Sequence, residues 1–163
     1  MDSSVDVRPV NDLLRHTLAT VAYRGGKVFR GAPEGFSETR AGAGARSAGE
    51  ILAHIGDLFD WAVSLVEGRQ TWKDSKPLPW DQEVARFFAG LRAFDEALLQ
   101  KPVTAPDAER LFQGPIADAL THIGQIAQLR RIAGSNVRPE NYHQAEIAKG
   151  RTGADQVPPK REF

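Results

Sequence analysis

The sequence predicts an all-α fold: a four-helix bundle with a long loop after the first helix and an extended C-terminal tail. Three observations carry this. Apolar residues recur at three- and four-residue intervals in four separate stretches, and Gly- and Pro-bearing segments divide those stretches. No run shows the period-two alternation of a half-buried strand. With 163 residues the helices share one core, so a single domain is expected over 1–163, its bundle over about 9–134 and an extension over 135–163. Antiparallel packing is the expected arrangement, with handedness and crossover pattern left open.

The first helix spans residues 9–29, with apolar positions at 10, 14, 18, 21 and 28. Pro9 suits a first helical turn, where a missing N–H is no loss. The Gly-, Ala- and Arg-rich segment "RGAPEGFSETRAGAGAR" follows and reads as a long loop, its part over 36–46 expected to shape access to one bundle end together with the tail. A second helix opens at "SAGE", where Ser47 and Glu50 form a capping box. Ile51, Ile55, Leu58, Ala62 and Leu65 line its face until Gly68 ends it. The third helix, over residues 81–99, carries the stripe Val84, Phe87, Phe88, Leu91, Phe94 and Leu98. The fourth starts at Asp107 or Pro115 and reaches Ala133, with Phe112, Ile116, Ala119, Ile123, Ile126 and Ala127 as its buried face and Gly134 as its stop. The remaining tail is polar, with one or two helical turns expected near 142–149.

Composition narrows the function. Lys plus Arg and Asp plus Glu both number 21, so nothing favours nucleic acid or an anionic membrane surface as a partner. The absence of cysteine removes disulfides, thiolate metal sites and cysteine nucleophiles, which suits a cytoplasmic protein. The N-terminal "MDSSVDVRPV" has no apolar signal core, and no apolar run approaches the ~20 residues of a membrane helix.

Chemistry concentrates in "DALTHIGQI". Asp118, His122 and Gln125 share one ridge of the fourth helix with Leu111 and Leu129, beside the apolar stripe rather than opposite it. His54, on the second helix, occupies a similar flank with Leu58, Trp61 and Leu65. A lone histidine there is ordinarily a hydrogen-bonded core residue, and an Asp-x-x-x-His pair is ordinarily an i,i+4 contact worth ~0.2–0.5 kcal/mol. Taken together they make a sharper set. Residues four apart can ligate one ion, and a third donor from a facing helix completes a His/His/carboxylate site suited to Zn²⁺, Ni²⁺, Fe²⁺ or Mn²⁺.

The stretches "ILAHIGDLFDW" and "DALTHIGQIAQLRRIAG" resemble the DinB-like superfamily of bacterial four-helix-bundle proteins, which includes thiol-dependent transferases. The resemblance covers about residues 10–134, and "ENYHQAEIAKGRTGADQ" is similar to an extension of one branch. It implies a divalent metal held by a histidine of the second helix and a His-x-x-x-His pair of the fourth. His54 and His122 match two of those positions, and Asp118 replaces the third. The resemblance implies a metal-dependent transferase acting on a small molecule with a low-molecular-weight thiol as cosubstrate. An open site with bound water equally permits a hydrolase, and the donor set makes Zn or Ni the first expectation with Fe or Mn as alternatives.

Gln125 is read as a residue that orients a ligand. Asp57 could act likewise, but the expected reading is an exposed carboxylate. His16, which shares a flank with Asp12 and Tyr23, and His143, in the tail, match no ligand position. Trp61 and Trp80 are expected to pack, and "RRIAG" to place cations at a helix C-terminus. The competing class is a non-catalytic structural or ligand-binding bundle without metal, for which a homodimer is one assembly.

Overall fold

Pro9 lies in the first turn of α1 (Arg8–Phe29), the first helix of a computed structural model that describes residues 7–163. The signal-core reading of the N-terminus begins in residues 1–6, outside the described residues. Helix α2 (Ala48–Val66) starts from the capping box read in the sequence. Ser47 Oγ accepts from the Glu50 amide at 3.2 Å, and Glu50 Oε2 accepts from the Ser47 amide at 2.7 Å. Helix α3 (Trp80–Gln100) carries the expected aromatic stripe into the core, where Phe87 meets Phe29, Phe59 and Phe88. A fourth rod follows: α4 (Ala105–Leu111), a π-turn (Phe112–Ile116) and α5 (Ala117–Ile132). There is no regular strand among the described residues, and no helix there is long and apolar enough to cross a membrane.

The π-turn changes the expected face of the fourth rod. Pro115 lacks an N–H, and in a regular α-helix its ring would collide with the carbonyl four residues back; the wider turn moves that carbonyl away. One extra residue advances the phase by about 100°. Leu111 therefore enters the core at 3% exposure, while Phe112, expected in the buried stripe, is 49% exposed.

Contacts between helices define their directions. Arg15 of α1 pairs with Asp95 of α3 at 2.7 Å, while Phe29 at the other end of α1 meets Trp80, so these helices are antiparallel. α2 and α5 are antiparallel too, with His54 beside Asp118 and Trp61 against Gly114. α2 and α3 instead run parallel: Arg86 bonds the Ala53 carbonyl, and Phe59 lies against Gly90. The antiparallel expectation thus holds for two pairs and fails for α2 with α3 and for α1 with α5, whose C-terminal ends meet where Arg130 bonds the Val28 carbonyl. The connector 67–79 makes this geometry, since extended chain of that length spans roughly 40 Å against ~28 Å for α2. It returns along α2 with Thr71 held by Ser64 and Ser75 held by Asp57.

Two charged residues lie deeper than expected. Arg130 of "RRIAG" is only 5% exposed, and its guanidinium donates to the carbonyls of Val28, Arg30, Gly31 and Ser135, clasping the end of α1 to the end of α5. Asp57 is 3% exposed rather than solvated. The tail over 135–163 docks on α1: Glu140 accepts from Tyr23 at 2.5 Å and Lys27 at 2.6 Å, and Lys27 also reaches Glu162. Its helical content is one short turn, Tyr142–Gln144.

Candidate metal centre

The apolar face of α2 buries Ile51, Ile55 and Leu58, which leaves His54 on the flank turned toward α5 with a side chain 18% exposed. On α5, Asp118 and His122 stand one turn apart immediately after the π-turn, so that turn sets their register against α2. The three side chains converge. Asp118 Oδ2 is 3.5 Å from His54 Nε2, and Oδ1 is 3.4 Å from His122 Nε2. The imidazole rings stand perpendicular, 4.8 Å between centres. One ligand atom from each residue falls within 4.8 Å of the other two.

Zinc–nitrogen bonds of about 2.0–2.1 Å in a tetrahedral set place neighbouring ligand atoms about 3.4 Å apart. Each imidazole nitrogen stands at about that spacing from its own carboxylate oxygen, Oδ2 for His54 and Oδ1 for His122, so the donor set fits a divalent ion once one oxygen and the two nitrogens draw together.

Gln125 faces the outer side of His122, its Oε1 2.8 Å from Nδ1. A carbonyl oxygen only accepts, so Nδ1 carries the proton, and in the neutral ring Nε2 presents a lone pair to Asp118. That is the tautomer a metal ligand needs. Burial lowers the proton affinity of His54, and the neighbouring His122 and Arg46 add to the effect against the opposing pull of Asp118. His54 is therefore poised in its neutral, ligating form.

This shift has a consequence for stability. Between the ordinary histidine value of 6.5 and its own lower value, His54 binds protons better in the unfolded chain than in the folded one. Stability from neutral His54 is complete above that window and declines as pH falls through it. Thermal melts at pH 7.5 and 5.5 are expected to show a lower Tm at the acid pH, and His54→Gln should narrow the difference. An unchanged difference in the variant would place the acid sensitivity elsewhere.

Sequence reasoning missed Trp72 and misjudged Asp57. Trp72, on the crossover, sets its ring edge-on to His54 at 5.6 Å and to Trp61 at 5.9 Å, roofing the centre while Nε1 donates to Asp74. Its only sequence signal is a large aromatic in a connector. Asp57 does not orient His54; it accepts from the Ser75 amide and hydroxyl and from Arg86 at 2.6 Å. Burial opposes its charge, yet those donors outweigh it and hold its carboxyl below the ordinary range. Trp61 and Trp80 pack against the core, while His16 and His143 are exposed and outside the triad.

Two clefts flank the centre. One, about 250 Å³, is lined by His54, Arg46 and Lys76, and the other, about 400 Å³, by His122, Arg46, Ile51 and Leu129. The loop before α2 and the crossover supply their walls, and the tail supplies none. Comparison with protein-family models, curated proteins and solved structures finds no match.

Proposed function

We propose that His54, Asp118 and His122 hold one divalent metal ion and that the protein is a metal-dependent enzyme acting on a small molecule. The observation that carries this is the convergence of three donors from two helices on one point, with Gln125 fixing the ligating tautomer of His122. Two imidazoles and a carboxylate suit Zn or Ni first, with Fe or Mn as alternatives. Three protein donors leave coordination positions open, and a bound divalent ion would supply Lewis acidity and stabilise an anionic nucleophile there.

The resemblance to the DinB-like superfamily supports a transferase that uses a low-molecular-weight thiol, and hydrolysis suits the same open positions. In either case the chain's own groups place the reactants. Trp72 and Trp61 wall the centre on one side, and the clefts give access from the others. A metal-free polar cluster is the second reading, because the 45% exposed Asp118 carboxylate can also pair with either imidazole when protonated.

Protein purified without an affinity tag and titrated with Zn²⁺, Ni²⁺ or Co²⁺ is expected to bind about one equivalent, with affinity falling on acidification as the imidazoles protonate. Turnover should then be sought with small electrophiles, with and without thiols. No binding by any of the three ions would defeat the metal reading.

A further inference from the structure

Both clefts at the centre have Arg46 in their walls, and its charge is left over. Of the nearby acidic groups, Asp57 is held by Arg86 and Ser75 and Glu50 by Arg40 and the Ser47 amide, while Asp74 accepts only from the neutral Trp72 indole, so one carboxylate charge in that cleft stands against the two cations Arg46 and Lys76. Arg40 and Arg86 are consumed in those pairs. Among the described residues, neither Arg46 nor Lys76 forms an ion pair, yet both line the cleft that opens onto His54.

Such a placement is electrostatically unfavourable in isolation. A divalent ion on one carboxylate and two neutral imidazoles leaves a net charge of about +1, beside which Arg46 adds a second like charge. An anionic group bound between the centre and Arg46 would relieve this repulsion. The larger cleft adds an apolar floor, Ile51 and Leu129, with Ala41 and Ala45 beside them. A planar guanidinium matches a carboxylate through two parallel hydrogen bonds.

We infer that the small molecule received at this centre carries a carboxylate, bound by Arg46 with Lys76 in support, and an apolar body lying over Ile51 and Leu129. The inference rests on the proposed metal function, and the two are separable by experiment. Full-length protein loaded with Co²⁺ is titrated with 3-mercaptopropanoate and with its neutral amide, binding being followed by the visible absorption of cobalt. Wild type is expected to bind the acid about tenfold or more tightly than the amide. Arg46→Gln should bring the two together while retaining or improving affinity for Co²⁺ itself, and Lys76→Gln should reduce the preference partly.

Equal binding of acid and amide by wild type, or a preference that survives Arg46→Gln, would overturn the inference. Tighter binding of 2-mercaptoethylphosphonate than of the acid would replace the carboxylate with a phosphate-like group. Should Co²⁺, Zn²⁺ and Ni²⁺ all fail to bind, the metal function fails by itself. The carboxylate site is then read on metal-free protein with 3-phenylpropanoate and 3-phenylpropanamide, and no Arg46-dependent preference for the acid overturns it as well.

Discussion

His54→Ala is expected to abolish stoichiometric metal binding while leaving the helical content and most of the stability intact. His54 is the only donor from α2; without it Asp118 and His122 remain as two groups one turn apart on α5. Loss of a residue that merely orients a ligand costs about 10–100-fold in affinity, so loss of a ligand should exceed about 100-fold, and Gln125→Ala should fall within the smaller range. The stabilisation that a bound ion gives, about 2.7 kcal/mol at a hundred times Kd, should disappear from thermal melts of His54→Ala. Asp118 separates ligation from ion pairing. Asp118→Asn removes the anion and should weaken the metal response, whereas Asp118→His offers a third imidazole and should preserve it. If neither Asp118 substitution changes affinity, Asp118 is not a ligand; if His54→Ala keeps the metal-induced rise in Tm, the ion lies elsewhere.

The helices and their faces were legible because burial imposes a 3.6-residue period and the capping box of Ser47 and Glu50 is a local hydrogen-bond pattern. The approach of His54 to Asp118 and His122 was legible for the same reason, since polar residues flanking two apolar stripes are carried together when both stripes pack on one core. Extrapolating the wheel through Pro115 failed because the π-turn inserts a residue, which exchanges Leu111 for Phe112 at the core. Asp57 was read as exposed, and Arg130 only as a cation at a helix C-terminus, because their partners are remote in sequence: Arg86 and Ser75 for one, the Val28 carbonyl for the other. Trp72 and Arg46 reach the centre from connectors, and no periodicity exists there to say where a side chain goes.

Arg86→Met is expected to lower stability by about 3–5 kcal/mol, the usual cost of removing one partner from a buried ion pair. For a domain of this size that is a fall of about 6–20 °C in Tm. Arg86 joins α3 to α2: its guanidinium donates to the Ala53 carbonyl, to Asp57 and to Asp60, and it lies 3.7 Å from Glu83. Gly56 makes the approach possible, since a Cβ there would stand 2.8 Å from the guanidinium. Removing Arg86 strands two carboxylates, Asp57 at 3% and Glu83 at 1% exposure, and Glu83 Oε2 has no hydrogen-bond partner in compensation. Asp57→Asn in the Arg86→Met background should recover part of the loss, although Asp57→Asn alone is destabilising. The pH dependence has a definite sign. Asp57 titrates below its ordinary value of 3.8 in the folded chain, so the stability from its ionised form is present above that value and lost as pH falls through the lower one. The gap between wild type and Arg86→Met should therefore narrow in acid, where Asp57 is protonated in both. Asp57 also moors Ser75, and through the crossover that mooring holds Trp72 against His54. Tryptophan emission in Arg86→Met should shift to the red below the melting temperature as that segment loosens. A variant that melts with wild type, its emission unchanged, would show that the ion pair holds neither the crossover nor the roof of the centre.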